Sequence, residues 1–170
     1  MASTNRSLVF SDQFAISCGT VTIDRKLSRI LLIRWRKTGE VMLPKGRKEV
    51  GENLENTALR ETFEETGVTP HLLPVDIVSL ATTNPGFPRP QEVVEPFAVS
   101  QRTTNGILKI IFWYMAIADS TAAPEEGTQQ EDEDFETVWI SFEDAGSILS
   151  HEDDRRIAQR AIDMVSNHGR

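Results

Sequence analysis

Residues 53–67, NLENTALRETFEETG, constrain this chain more than any other stretch. Asn53 is a good helix N-cap, because its side-chain oxygen can accept an orphan amide of the first turn. Gly67 is placed to end the helix in the left-handed conformation. Pro70 and Pro74 bar its continuation. The segments on both sides read mostly as strands. One mid-chain helix in such surroundings must bury its apolar face against a sheet.

Residues 13–23, QFAISCGTVTI, are rich in β-branched and small apolar residues and predict a strand. DRKLS reads as a turn and RILLIRW, 29–35, as a second strand of the same hairpin. VMLP, 41–44, is a short extended piece, and KGRKEVGE a charged loop with two glycines. VDIVSLATT, 75–83, predicts a further strand. Residues 84–106 hold four of the eight prolines and read as a long functional loop. ILKIIFWYMAIA, 107–118, is the strongest strand pattern, and FETVWISF a last one. EDAGSILS predicts a short helix. EDDRRIAQRAIDMVSNH predicts an amphipathic one, with Ile157, Ala161, Met164 and Val165 on one stripe. The class is α+β, without the strict alternation of a doubly wound fold.

The length of 170 residues suits one domain, expected over 1–170. Cys18 is the one cysteine, so no intrachain disulfide forms, and its apolar run marks it as a buried small hydrophobe. The start lacks the basic and apolar regions of a conventional signal peptide. No apolar run approaches the roughly 20 residues that span a bilayer. The expected compartment is the cytoplasm, with the nucleus and delivery into a host cell left open.

The net charge of −8 hides an asymmetry. From Arg25 to Lys48 there are nine basic residues and one acid, Glu40. From Glu125 to Glu136 there are seven acids and no base. The basic window is a candidate anion-binding surface; the alternative is that its residues scatter over different faces.

At about 100° per residue, Glu55, Ala58, Leu59, Thr62, Phe63 and Thr66 share one arc of the helix. Glu61, Glu64 and Glu65 share another, with Arg60 beside them. Like charges at i,i+3 and i,i+4 repel, and no Lys or Arg offsets them at i+4. A solvated acidic face is the plain reading. A cation site is the sharper one, since hard divalent ions take oxygen ligands and bridge to substrate phosphates. Glu52, at the end of the preceding loop, can fold over the same face.

The spacing is specific. Gly46 is followed after five residues by Glu52, and after seven more by Arg60-Glu61-Thr62-Phe63-Glu64-Glu65-Thr66-Gly67-Val68. This window, 46–68, resembles the Nudix box, G-x5-E-x7-R-E-U-x-E-E-x-G-U with U apolar. Every charged and glycine position matches, and Thr62 departs at one U position. The resemblance implies a Nudix fold, an α/β/α sandwich around a central mixed β-sheet, and hydrolysis of a diphosphate linked to another moiety. It implies Mg²⁺ or Mn²⁺, more than one ion, on Glu61 and Glu65 with Glu64 beside them. Glu64 is the expected activator of water, with Glu61 or a downstream carboxylate, Glu133, as alternatives. Arg60, Glu52 and Gly67 are expected to be structural, Arg60 orienting Glu52 by a charge-assisted hydrogen bond.

The LPKG leading into the box resembles the diphosphoinositol polyphosphate and diadenosine polyphosphate hydrolase branch. Arg34, Arg36 and Lys37 lie where that branch places polyphosphate contacts. Lys45, Gly46, Arg47 and Lys48 enter the box loop itself. The expected substrate is therefore a small polyanion, a diphosphoinositol polyphosphate first and a diadenosine polyphosphate second. A non-catalytic phospholigand- or protein-binding module is the reading of another class. No membrane and no specific nucleic-acid partner is expected, and Phe87 is a candidate platform for an aromatic substrate group.

Overall fold

A computed structural model describes residues 6–166. The last two residues of the closing helical pattern, 167–168, and the first five of the N-terminal stretch lie outside them. Strand β1 (Phe14–Asp24) and strand β7 (Ile107–Ile117) form the spine, paired in parallel from Phe14↔Leu108 to Ile23↔Ile117. The other ladders are antiparallel. Strand β2 (Arg29–Trp35) joins β1 at the hairpin end and pairs along its length with β8 (Phe135–Ser141). Short strands β3 (Val41–Met42), β4 (Lys45–Arg47) and β5 (His71–Leu72) pair with β2, β1 and β7. Strand β6 (Ala98–Thr104) lies along the other side of β7.

Side chains alternate across the sheet, as the period of a strand demands. One face presents Cys18, Phe112 and Tyr114 to helix α1 (Leu54–Thr66), where Leu54 and Ala58 close a small core. The other presents Val21, Ile23, Ile111, Trp113 and Met115 to α2 (Phe142–Ile148) and α3 (Glu152–Ser166). Ile157, Ala161 and Met164 of the predicted stripe are buried there, and Val165 packs at its margin. The result is the expected α/β/α sandwich with a mixed sheet. Cys18 is buried, and burial pushes its thiol up to about 12.

Three expectations are corrected. Residues 76–83 form no strand; only Val75 makes a bridge, to Val93. β-Branched composition favours a strand only where a pairing edge is within reach. The edges of β7 here are held by β1, β5 and β6, so Val78 and Leu80 stand 97% exposed. Second, the region read as one loop to residue 106 contains β6. Its hairpin with β7 turns on Asn105-Gly106, both at positive φ, the left-handed pair a two-residue turn requires. Third, the charged loop after Pro44 contains β4.

Candidate active site

Helix α1 begins as its sequence dictates, with the Asn53 side chain accepting from Asn56 N at 2.8 Å. The acidic arc is not a solvent face, however. Glu61 and Glu65 are each only 4% exposed. Strand β4 crosses that side of the helix, which a helical projection cannot reveal. Gly46 makes this possible: a Cβ there would overlap the Glu61 carboxylate. Glu65 accepts from Lys45 N at 2.8 Å. Two consecutive residues of β4 thus meet both glutamates.

Arg60 organises the rest. Its Nε and Nη2 form a fork on Glu52, at 2.8 and 2.9 Å. Its Nη1 donates to Glu61 at 2.7 Å and to Glu64 at 3.0 Å, and Nη2 also reaches the Arg47 carbonyl at 3.0 Å. Paired this way, and with Thr57 Oγ1 donating as well, Glu52 is held down to about 2. The other two behave oppositely. Burial pushes the Glu65 carboxyl up to about 8, against the pull of Lys45. Burial also raises Glu61, outweighing its bond to Arg60.

The C-terminus of α1 is closed by the acidic segment. Gly67, at φ 69°, donates to the Phe63 carbonyl. The last carbonyls of a helix lack intrahelical donors. Here Thr128 Oγ1 donates to Glu64 O, Gln129 Nε2 to Glu65 O and Thr137 Oγ1 to Thr66 O, while Glu125 N donates to Gly67 O. The same segment carries Glu133, whose carboxylate accepts from Gln130 N.

A cleft of about 590 Å³ lies over these groups. Glu61, Glu65, Arg60 and Glu133 line it, with Lys45, Gly46 and Arg47 from β4 and Ala15 and Ser17 from β1. Glu49, Gln130 and Asp132, and Arg102 and Lys109 from the β6–β7 hairpin, complete its polar wall. Glu64 is tied to Arg60 beside the cleft and is not part of its lining. Lys48 is not part of the lining, and its Nζ donates to the Glu49 carbonyl. Arg34 pairs with Glu136 at 3.1 Å and Arg36 with Asp134 at 3.3 Å. Neither they nor Lys37 lines the cleft, so the basic window does divide between surfaces. Phe87 is exposed in the irregular segment and also lies outside the lining.

The sequence does not single out Arg102, whose segment reads as a loop, and Lys109 stands there as a lone charge in an apolar strand pattern. The Asn105-Gly106 dipeptide was the available signal. A two-residue turn there fixes the register and sets 102 opposite 109.

The donor set suits a divalent cation. It is made of carboxylates, of which Glu61 and Glu65 are buried, and Arg60 ties Glu61 to Glu64 and Glu52. Among the described residues no three acidic, histidine or cysteine side chains form a ready cage. An open carboxylate half-site of this kind matches Mg²⁺, which is commonly held by one or two carboxylates plus substrate oxygens.

The Nudix domain family model matches residues 14–161, and the chain belongs to that family. Nudix hydrolase 21, chloroplastic, of Arabidopsis thaliana is 52% identical over 44 residues, 25% of this chain and 22% of that protein. A putative mutator protein, MutT4, of Mycobacterium tuberculosis is 27% identical over 126 residues, 72% of this chain and 41% of that one. The chain thus spans less than half the length of these curated relatives. Among solved structures, an Ap4A hydrolase binary complex of C. elegans gives a TM-score of 0.64 at 15% identity, over 90% of this chain and 98% of that one. A Nudix family hydrolase of Clostridium perfringens gives 0.62 at 19%, over 89% and 97%. At these identities the likeness is one of fold. Among the described residues no helix is long and apolar enough to cross a membrane.

Proposed function

We propose that this chain is a divalent-metal-dependent hydrolase that cleaves the diphosphate of a densely phosphorylated small molecule, with diphosphoinositol polyphosphates as its first substrate class. One observation carries the reading: the cleft joins buried carboxylates to cationic side chains, and no aromatic residue is part of its lining among the described residues. Such a wall suits phosphate groups better than a stacked base.

Glu61 and Glu65, with Glu64 adjacent, would hold Mg²⁺ or Mn²⁺. When bound, the ion neutralises charge on the transferring phosphoryl group and lowers the pKa of its water. The chain's own work is positioning, which dominates phosphoryl transfer. Arg60, anchored on Glu52, fixes the spread of the glutamates. Lys45 and Arg47 attract the phosphates, and the bare backbone at Gly46 admits Glu61 to the cleft. Glu64 is assigned the activation of water, with Glu133 as the alternative. The second reading is hydrolysis of dinucleoside polyphosphates, favoured by the fold shared with the C. elegans Ap4A hydrolase.

The test is a panel of diphosphoinositol phosphates, diadenosine polyphosphates, nucleotide sugars and capped RNA with Mg²⁺ or Mn²⁺, read by ³¹P NMR. Orthophosphate is expected from the diphosphoinositol substrate. Turnover of nucleotide sugars or capped RNA alone would overturn the substrate class. In the same assay Glu64→Gln is expected to keep the fold and lower kcat by at least about 10², the range of a general base. A larger loss in Glu133→Gln than in Glu64→Gln would transfer that role to Glu133.

A further inference from the structure

Arg102 and Lys109 face each other across the β6–β7 ladder, and both line the cleft. Like charges directly opposite on paired strands destabilise the pair. A partner would relieve this, yet among the described residues neither side chain has an ion pair or side-chain hydrogen bond. The acids of the cleft do not serve it. Glu61 is engaged by Arg60, Glu65 by Lys45 N and Glu133 by Gln130 N, and neither Glu49 nor Asp132, which also line the cleft, pairs with Arg102 or Lys109. By contrast, Arg34 and Arg36 outside the cleft are each matched to an acid.

The pair also has a defined place. Gly46 lies at the register of Cys18 and Lys109 at that of Ala15, three residues along β1. Because β4 and β7 lie on opposite edges of β1, Lys109 is set off from Gly46 by about 10 Å along the strand and by two strand spacings across it, roughly 14 Å between backbones. A single diphosphate held at the glutamates would not reach so far.

We propose that Arg102 and Lys109 form a second anion subsite, which takes a phosphate group beyond the diphosphate that is cleaved. The inference rests on the reading of this cleft as a phosphohydrolase site and deepens it. It selects substrates that carry further phosphates over those with two. The shared chemistry is a phosphate at that distance, supplied by a phosphorylated ring or by a linear polyphosphate chain.

The experiment is calorimetric titration of the metal-free protein with inositol hexakisphosphate and, separately, with inorganic tripolyphosphate. Neither requires turnover, so the result is independent of whether a diphosphoinositol substrate is hydrolysed. Arg102→Gln/Lys109→Gln is expected to weaken binding of at least one ligand by about tenfold or more. Loss on the ring compound alone identifies a ring substrate, and loss on the chain alone a linear one. Arg156→Gln/Arg160→Gln, on the exposed side of α3, makes the same change in net charge and is expected to alter affinity less than twofold. Arg102→Lys/Lys109→Arg should stay within about threefold of the parent. If the β6–β7 neutral pair does not fold, as judged by its melting curve, Arg102→Gln alone serves, with an expected loss of about threefold. The proposal is overturned if the β6–β7 variants bind both ligands like the parent, or if the α3 control loses as much.

Discussion

Gly46 is the residue where sequence and chemistry meet most closely. Its missing side chain is the space in which the Glu61 carboxylate rests. A carboxylate is the movable end of a flexible side chain, so Gly46→Ala should displace Glu61 without unfolding the domain. The expected outcome is a melting temperature within a few degrees of the parent and a loss of kcat of at least about tenfold. A variant with full activity would show that Glu61 need not lie against β4. The pattern of glutamates was legible in the sequence, because their spacing is fixed by the turn of one helix. Their burial was not. A helical projection ranks residues by angle, and cannot know that β4 passes over Glu61 and Glu65. The pairing of Arg34 and Arg36 was hidden for a similar reason, since it depends on β8 lying beside β2.

At the scale of the element, Thr62 explains its own departure from the apolar position of the box. Its hydroxyl donates to the Ala58 carbonyl at 2.8 Å and meets Thr20 Oγ1 at 2.7 Å, and Thr20 meets Thr22 at 2.7 Å. All three threonines are fully buried, so α1 is keyed to β1 by hydroxyls rather than by methyl packing alone. Losing one partner of a buried hydrogen bond typically costs more than losing both. Thr62→Val is therefore expected to destabilise by about 1 kcal/mol. Thr20→Val/Thr62→Val should cost less than the sum of the single changes, read as a double-mutant cycle in urea. Strict additivity would mean that the two hydroxyls do not interact. Elements with long self-contained patterns, β1, β7, β8 and α1, were readable from the chain. β6 was not, because five of its seven residues are exposed and its strand character comes from the partner that the Asn105-Gly106 turn supplies.

Across the whole molecule, Asp24 links regions that are distant in sequence. Its Oδ1 accepts from Lys26 N and Leu27 N in the β1–β2 turn, and its Oδ2 from Ser120 N and Oγ beyond the end of β7. Burial would raise its carboxyl, but these four donors prevail and hold it below the usual value. A carboxylate depressed in the folded state adds stability above its unfolded pKa. That contribution is lost as pH falls through the folded value. Asp24→Asn should therefore lower the melting temperature at pH 7, and the gap to the parent should close as pH falls from 5 toward 2. A gap that stays constant over that range would separate the effect from the charge.

The closure of α1 by residues 125–137 has one more consequence. The glutamates lie before the irregular segment 76–92, and the groups that satisfy their helix end lie after it. A chain opened within that segment would give two fragments, each holding half of one site. The first would carry the carboxylates on a helix with bare terminal carbonyls. The second would carry the donors for those carbonyls, together with Arg102, Lys109 and Glu133. The long parallel seam between β1 and β7 also runs from one fragment to the other. The proposed hydrolysis would then report reassembly, and the fold would serve as a two-part switch read by turnover.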